Sequence, residues 1–237
     1  LISSQISETK YLSQDNTYRY RPIMRFLYHK YEEAQNWLYK EEIYNAILAL
    51  KPEDAQVLFL RGGVRLGQGN YTQAKEDMDK VVALDSKNFE RIIQIYETME
   101  AGGYKDAGQG YLTDALQTYE EQMSYFDKGR MYYYMGEYQK AYLALEEAKG
   151  EGGVEAYLYL GKAYEATGDF NYASSVYNSY LTKVGDDARV YNQLGLCEAK
   201  KGEYVKALEA FQAGLQTQNS AMKQVLQFNE IVAYEYL

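Results

Sequence analysis

The feature that most constrains this chain is a short segment that occurs five times. It reads GNYTQA ending at Ala74, GGYKDA at Ala107, GEYQKA at Ala141, GDFNYA at Ala173 and GEYVKA at Ala207. The alanines are spaced 33, 34, 32 and 34 residues apart. A period of that length is the signature of a two-helix unit, too small to bury its apolar face alone and stable only when stacked on its neighbours. Pro22 and Pro52 are the only prolines, so little interrupts helix and the 19 glycines carry the punctuation.

The rest of each unit follows from chemistry. The stretch VEAYLYLGKAYEATG places Tyr157, Leu160, Gly161 and Tyr164 at helical spacing. A glycine inside a helix costs about 1 kcal/mol relative to alanine. Its recurrence at Gly161 and Gly195 therefore implies the close approach of another helix. The next glycine, such as Gly168, ends the first helix and turns the chain. The aromatic two residues later (Tyr71, Tyr104, Tyr138, Phe170 or Tyr204) opens the second helix, and the alanine marks where the pair crosses. Four residues further comes a bulky group: Met78, Tyr111, Leu145, Tyr177 or Phe211.

These residues resemble the tetratricopeptide repeat family. Residues 154–187 carry the resemblance best, through Tyr157, Leu160, Gly161, Tyr164, Ala173 and Tyr177. The unit at 188–221 departs with Glu198 where an aromatic is expected, and 55–88 departs with Arg65 at the same place. The unit at 122–153 fits through Tyr125, Gly129, Tyr132, Ala141 and Leu145. Residues 89–121 are the weakest unit, because Tyr96 replaces the small residue and Gly108 and Gly110 should loosen the second helix. A degenerate unit at 21–54 has Met24, Leu27, Tyr31, Trp37 and Tyr44 in register, with Lys40 in place of alanine, implying a wider helix pair. Residues 222–237 read as one more first helix. The resemblance implies an all-α fold, a right-handed α-α superhelix (solenoid) of about six helix-turn-helix repeats with the last incomplete. It covers residues 21–237; the polar stretch 1–20 matches no repeat and reads as an N-terminal arm or capping segment.

Composition narrows the function. Net charge is -9 and no basic run occurs, the wrong sign for neutralising nucleic-acid phosphates or an anionic membrane surface. No apolar stretch reaches the roughly 20 residues that cross a bilayer. Compartment stays open between the cytoplasm and an extracytoplasmic site reached after loss of a targeting segment, since the chain begins at Leu1. Cys197 is the only cysteine and His29 the only histidine, too few for a cysteine-histidine metal set; His29 reads as a surface or packing residue of a first helix rather than a catalytic one, and the chain reads as a non-enzyme with no cofactor. GGYKDAGQG at 102–110 lacks the Gly-Lys-Ser/Thr ending of a phosphate loop and reads as an inter-helix turn. Asn70-Tyr71-Thr72 has the pattern of a glycosylation sequon but sits in a repeat turn.

The family resemblance further implies a concave groove lined by the second, fifth, ninth, twelfth and thirteenth residues of each first helix. Carried over residue by residue, that picks out Phe59, Ile93, Phe126, Arg130, Tyr133, Tyr134, Leu158, Lys162, Arg189 and Asn192 as partner-binding positions. The Lys-then-Asn pair with which some members grip a C-terminal carboxylate is missing. The function expected is a protein-interaction scaffold that takes a partner protein or peptide. The alternative is a peptide-sensing regulatory module controlling an effector outside this chain. The end helix, with Val225, Phe228, Val232 and Tyr236, is expected to be sticky and to pair with another copy, in self-association, or with sequence downstream of Leu237.

Overall fold

The computed structural model describes residues 37–150, 153–217 and 219–236, which hold twelve α-helices and no strand. In chain order these are α1 (Trp37–Leu50), α2 (Ala55–Gly67), α3 (Tyr71–Leu84), α4 (Phe89–Ala101), α5 (Lys105–Tyr119), α6 (Tyr125–Tyr134), α7 (Tyr138–Gly150), α8 (Glu155–Thr167), α9 (Phe170–Val184), α10 (Ala188–Lys200), α11 (Tyr204–Gln216) and α12 (Lys223–Tyr234). The helices fall into two compact units that divide between Thr118 and Tyr119. The expected segment 1–20, and the first helix of the 21–54 unit with Met24, Leu27, Tyr31 and His29, lie outside the described residues.

Each repeat is a helix pair locked by a plug and a slot. Gly62, Gly129, Gly161 and Gly195 sit on first helices, and sixteen positions later come Met78, Leu145, Tyr177 and Phe211 on second helices. A methyl added at any of these four glycines would lie within 3.0 Å of the facing side chain. The bulky residue thus rests directly on first-helix backbone, and only glycine leaves room for it. Beside each plug, Ala74, Ala141, Ala173 and Ala207 are fully buried at the crossing point.

The repeat at 89–121 uses the same lock turned around. Tyr96 fills its slot from within, and Gly108 on α5 makes the space instead: a methyl there would lie 3.2 Å from both Tyr96 Cδ2 and Met99 Cβ. Gly108 therefore takes the alanine's place, while Ala107 is only half-buried. Leu112 is the buried residue four positions on, and Tyr111 instead donates its hydroxyl to Asp79 Oδ1 at 2.5 Å. The expected register of this unit is thus off by one. The turn glycine confirms it, because Gly103 rather than Gly102 has φ +87, matching Gly69, Gly136, Gly168 and Gly202 at φ 78 to 84. Nor do the glycines break the second helix. α5 runs 15 residues without interruption.

The two departures at the aromatic position are absorbed by ion pairing. Arg65 donates through Nη1 to Asp77 Oδ2 at 2.9 Å and through Nε to Glu41 Oε1 at 2.8 Å. Arg61 grips the same buried Asp77 with two bonds of 2.9 and 2.6 Å, so three helices share one network. Removing a single member would leave a buried charge uncompensated. Glu198, also buried, accepts from Lys201 Nζ at 2.9 Å. Lys40 is half-buried, and the first helix that would set its pair spacing is outside the described residues.

Two glycine substitutions separate slot from spacer. Gly161→Ala is expected to destabilise the protein by about 1–3 kcal/mol through overpacking against Tyr177. Gly110→Ala, on an exposed stretch of α5 with no atom within 4 Å, should stabilise it by about 0.4–1 kcal/mol. Urea unfolding midpoints of the two variants check both signs.

Candidate functional site

In the second unit the first helices α6, α8, α10 and α12 lie along one side, with α6 against α8 and α10 against α12. Ser124 starts α6 by accepting the Asp127 amide at 3.0 Å, the N-cap bond that fixes where the helix begins. Buried Gly129 and Met131 hold α6 to the core, which turns Phe126, Arg130, Tyr133 and Tyr134 toward α8.

There the four residues converge on Tyr159. Its ring meets Phe126, Tyr133 and Tyr134 edge-on at 6.0, 6.1 and 6.1 Å between centroids. Its hydroxyl lies 3.2 Å from that of Tyr134. The Arg130 guanidinium stands over the same ring at 5.1 Å and over Phe126 at 5.3 Å, and Lys162 Nζ also stands over Tyr159 at 5.1 Å. Cations over aromatic faces are attracted by the ring quadrupole, which helps to hold them in place. The cluster is a semi-buried aromatic surface, with Lys162 half-buried at its edge and the Arg130 side chain buried against the rings at 7% exposure.

Of the ten positions expected to bind a partner, five meet here: Phe126, Arg130, Tyr133, Tyr134 and Lys162. Sequence reasoning missed the hub. It chose Leu158, which is 8% exposed and belongs to the core, whereas its neighbour Tyr159 is only partly buried, packed at the edge of that core. Ile93 is likewise core, fully buried on α4, and offers a partner nothing. Asn192 is buried and accepts the side-chain amide of Asn229 at 2.8 Å, so it ties α12 to α10. Arg189 is exposed but folds back on Asp187, the cap of its own helix, at 2.6 Å. Phe59 belongs to the first unit, where Arg91 lies 4.5 Å over its ring.

Behind this face Glu165 on α8 is drawn inward. Cys197 Sγ donates to its Oε1 at 3.0 Å. Burial raises the Glu165 pKa above the usual carboxylate range, against the lowering pull of Cys197, Tyr177 and Lys162. The Cys197 thiol is pushed up in turn by burial and by Glu165, which makes it inert rather than nucleophilic. Among the described residues no group of His, Cys, Asp and Glu is arranged to hold a metal ion, and no helix is long and apolar enough to cross a membrane.

The models of the family described as Tetratricopeptide repeat match residues 55–88 and 160–221. Among solved structures, the chain is similar to a tetratricopeptide repeat protein from Parabacteroides merdae ATCC 43184, with TM-score 0.64 and 12% identity over 98% of this chain and 90% of that one. It is also similar to yeast Tom70, with TM-score 0.62 and 15% identity over 85% of this chain, and it spans 44% of the Tom70 chain. A third likeness, to a chain of the APC/C Cut9-Hcn1 hetero-tetramer, has TM-score 0.56 and 16% identity over 88% of this chain and 39% of that one. The comparison with curated proteins finds no match.

The raised pKa of Glu165 sets a pH dependence. Folding favours the protonated carboxyl, so its contribution to stability is present at low pH and lost as pH rises through the folded-state value. Glu165→Gln keeps an acceptor for Cys197 and removes the titration. The variant should therefore gain on the parent in urea midpoints as pH rises above the ordinary carboxylate range. Parallel profiles would contradict the assignment.

Proposed function

Because this chain is a tetratricopeptide repeat protein, we propose that it is a non-catalytic scaffold that docks a segment of a partner protein on the first-helix face of its second unit. Tetratricopeptide repeats mediate protein-protein interaction, which supplies the general class. The particular face is supported by the convergence of Phe126, Arg130, Tyr133, Tyr134 and Lys162 on Tyr159. Aromatic rings and arginine held in fixed geometry are the usual anchors of binding energy, because they bury area while surrendering little rotamer freedom. The partner is protein rather than nucleic acid. Two cations among aromatic rings do not make a phosphate track, and the chain's net charge of -9 opposes one. In the Cut9-Hcn1 structure a chain of similar fold is part of a hetero-tetramer.

The test starts from proteins that co-purify with the chain from its native cell. The most enriched is purified, and its affinity is measured against the parent and against Tyr134→Ala. That substitution takes away one half-buried ring and leaves every plug in place. Affinity should fall at least about tenfold, or 1.4 kcal/mol, with an unchanged melting temperature. Equal affinities would remove this face from the account.

A further inference from the structure

The last helix, α12, is held firmly on one side and bare on the other. Leu226 and Ala233 are buried against α11, and Leu226 packs at Gly214 where no larger residue would fit. Asn229 reaches Asn192, Gln212 reaches Glu230 at 2.9 Å, and Tyr236 stacks on Tyr204 at 5.0 Å. The outer face carries Phe228 at 66% exposure and Ile231 at 60%, flanked by Val225 at 45% and Tyr234 at 54%. Exposed apolar side chains on a rigidly placed helix form a surface ready for another helix.

α12 stands where a first helix stands, but it cannot take the usual covering. Leu226 and Ala233 play the parts that Val190 and Cys197 play on α10, all four being buried with a seven-residue spacing. In that register the slot glycine of α10, Gly195, corresponds to Ile231. A knob has replaced the hole, so a second helix bearing a bulky plug would collide with it.

We propose that this face pairs with α12 of a second copy of the chain, antiparallel about a two-fold axis passing between Asn229 and Glu230. The layout is self-complementary under that operation. Phe228 faces Ile231 of the other copy, while Val225 and Tyr234 border the seam on opposite sides, Tyr234 accepting from Gln212 Nε2 at 3.1 Å. Gln224, exposed like Glu235, meets the Glu235 carboxylate of the other copy across the seam. Lys223 at the start of one helix comes to the carbonyl end of the other, where a cation is favoured. A patch that satisfies itself in this way gives a closed dimer, because the same surface is used on both partners.

Sedimentation velocity of the 237-residue chain over a micromolar concentration series should show a reversible monomer–dimer equilibrium. Phe228→Glu and Ile231→Glu should each raise the dissociation constant at least about tenfold, since two carboxylates would then be buried against apolar groups. The register is read by single-cysteine variants under mild oxidation. Gln224→Cys mixed with Glu235→Cys should give a disulfide-linked dimer, while neither does so alone. Cys197, being buried, stays silent. A chain that is monomeric throughout overturns the proposal, as does cross-linking of Gln224→Cys to itself or a dimer indifferent to Phe228→Glu.

Discussion

Everything in this protein depends on one contact, a bulky side chain seated on bare backbone. A helix pair can approach closely only where one partner has no Cβ, and close approach gives the pair its packing density. Met78, Leu145, Tyr177 and Phe211 each sit on a glycine sixteen positions earlier in the chain. The contact is local in sequence, and each pair becomes stable as it stacks on its neighbours. Stability is thereby spread along the array rather than concentrated in one core. The buried clusters, one along α1 to α4 and another along α7 to α11, are what stacking adds to the individual locks.

The lock also bears on the face proposed for recognition. The plugs hold each pair from within, and the other side of the first helices carries different chemistry, partly packed against the core. On α6 and α8 that chemistry is aromatic and cationic. Five side chains from two helices stay organised around Tyr159 because Gly129 and Gly161, behind them, fix the helices that carry them. A partner would meet rings already in place, so little ordering cost would oppose binding.

Much of this was legible in the sequence, because the lock leaves a periodic trace. Glycine, aromatic, alanine and bulky residue recur at fixed offsets, and the architecture follows from them. The reading slipped at 89–121 for a physical reason. Gly102 and Gly103 are adjacent, as are Ala107 and Gly108, so two registers fit the letters equally well. Only the bulk of Tyr96, seen against Gly108, selects one. Leu158 and Tyr159 pose the same difficulty on a single helix. Neighbouring residues point about 100° apart, so a small rotation of α8 decides which one is core. Arg65 was legible only as a departure from the pattern. Its partners Asp77 and Glu41 sit on two other helices, and nothing in the local sequence announces them.

The central claim concerns coupling between slot and plug, and a double-mutant cycle on Gly195 and Phe211 measures it directly. Filling the slot with alanine and truncating Phe211 to alanine each remove the same fit from opposite sides. The double variant should then recover at least about 1 kcal/mol relative to the sum of the singles, because the added methyl occupies space the ring has left. Free energies that add within about 0.5 kcal/mol would mean the two residues do not feel each other, and the account would fail.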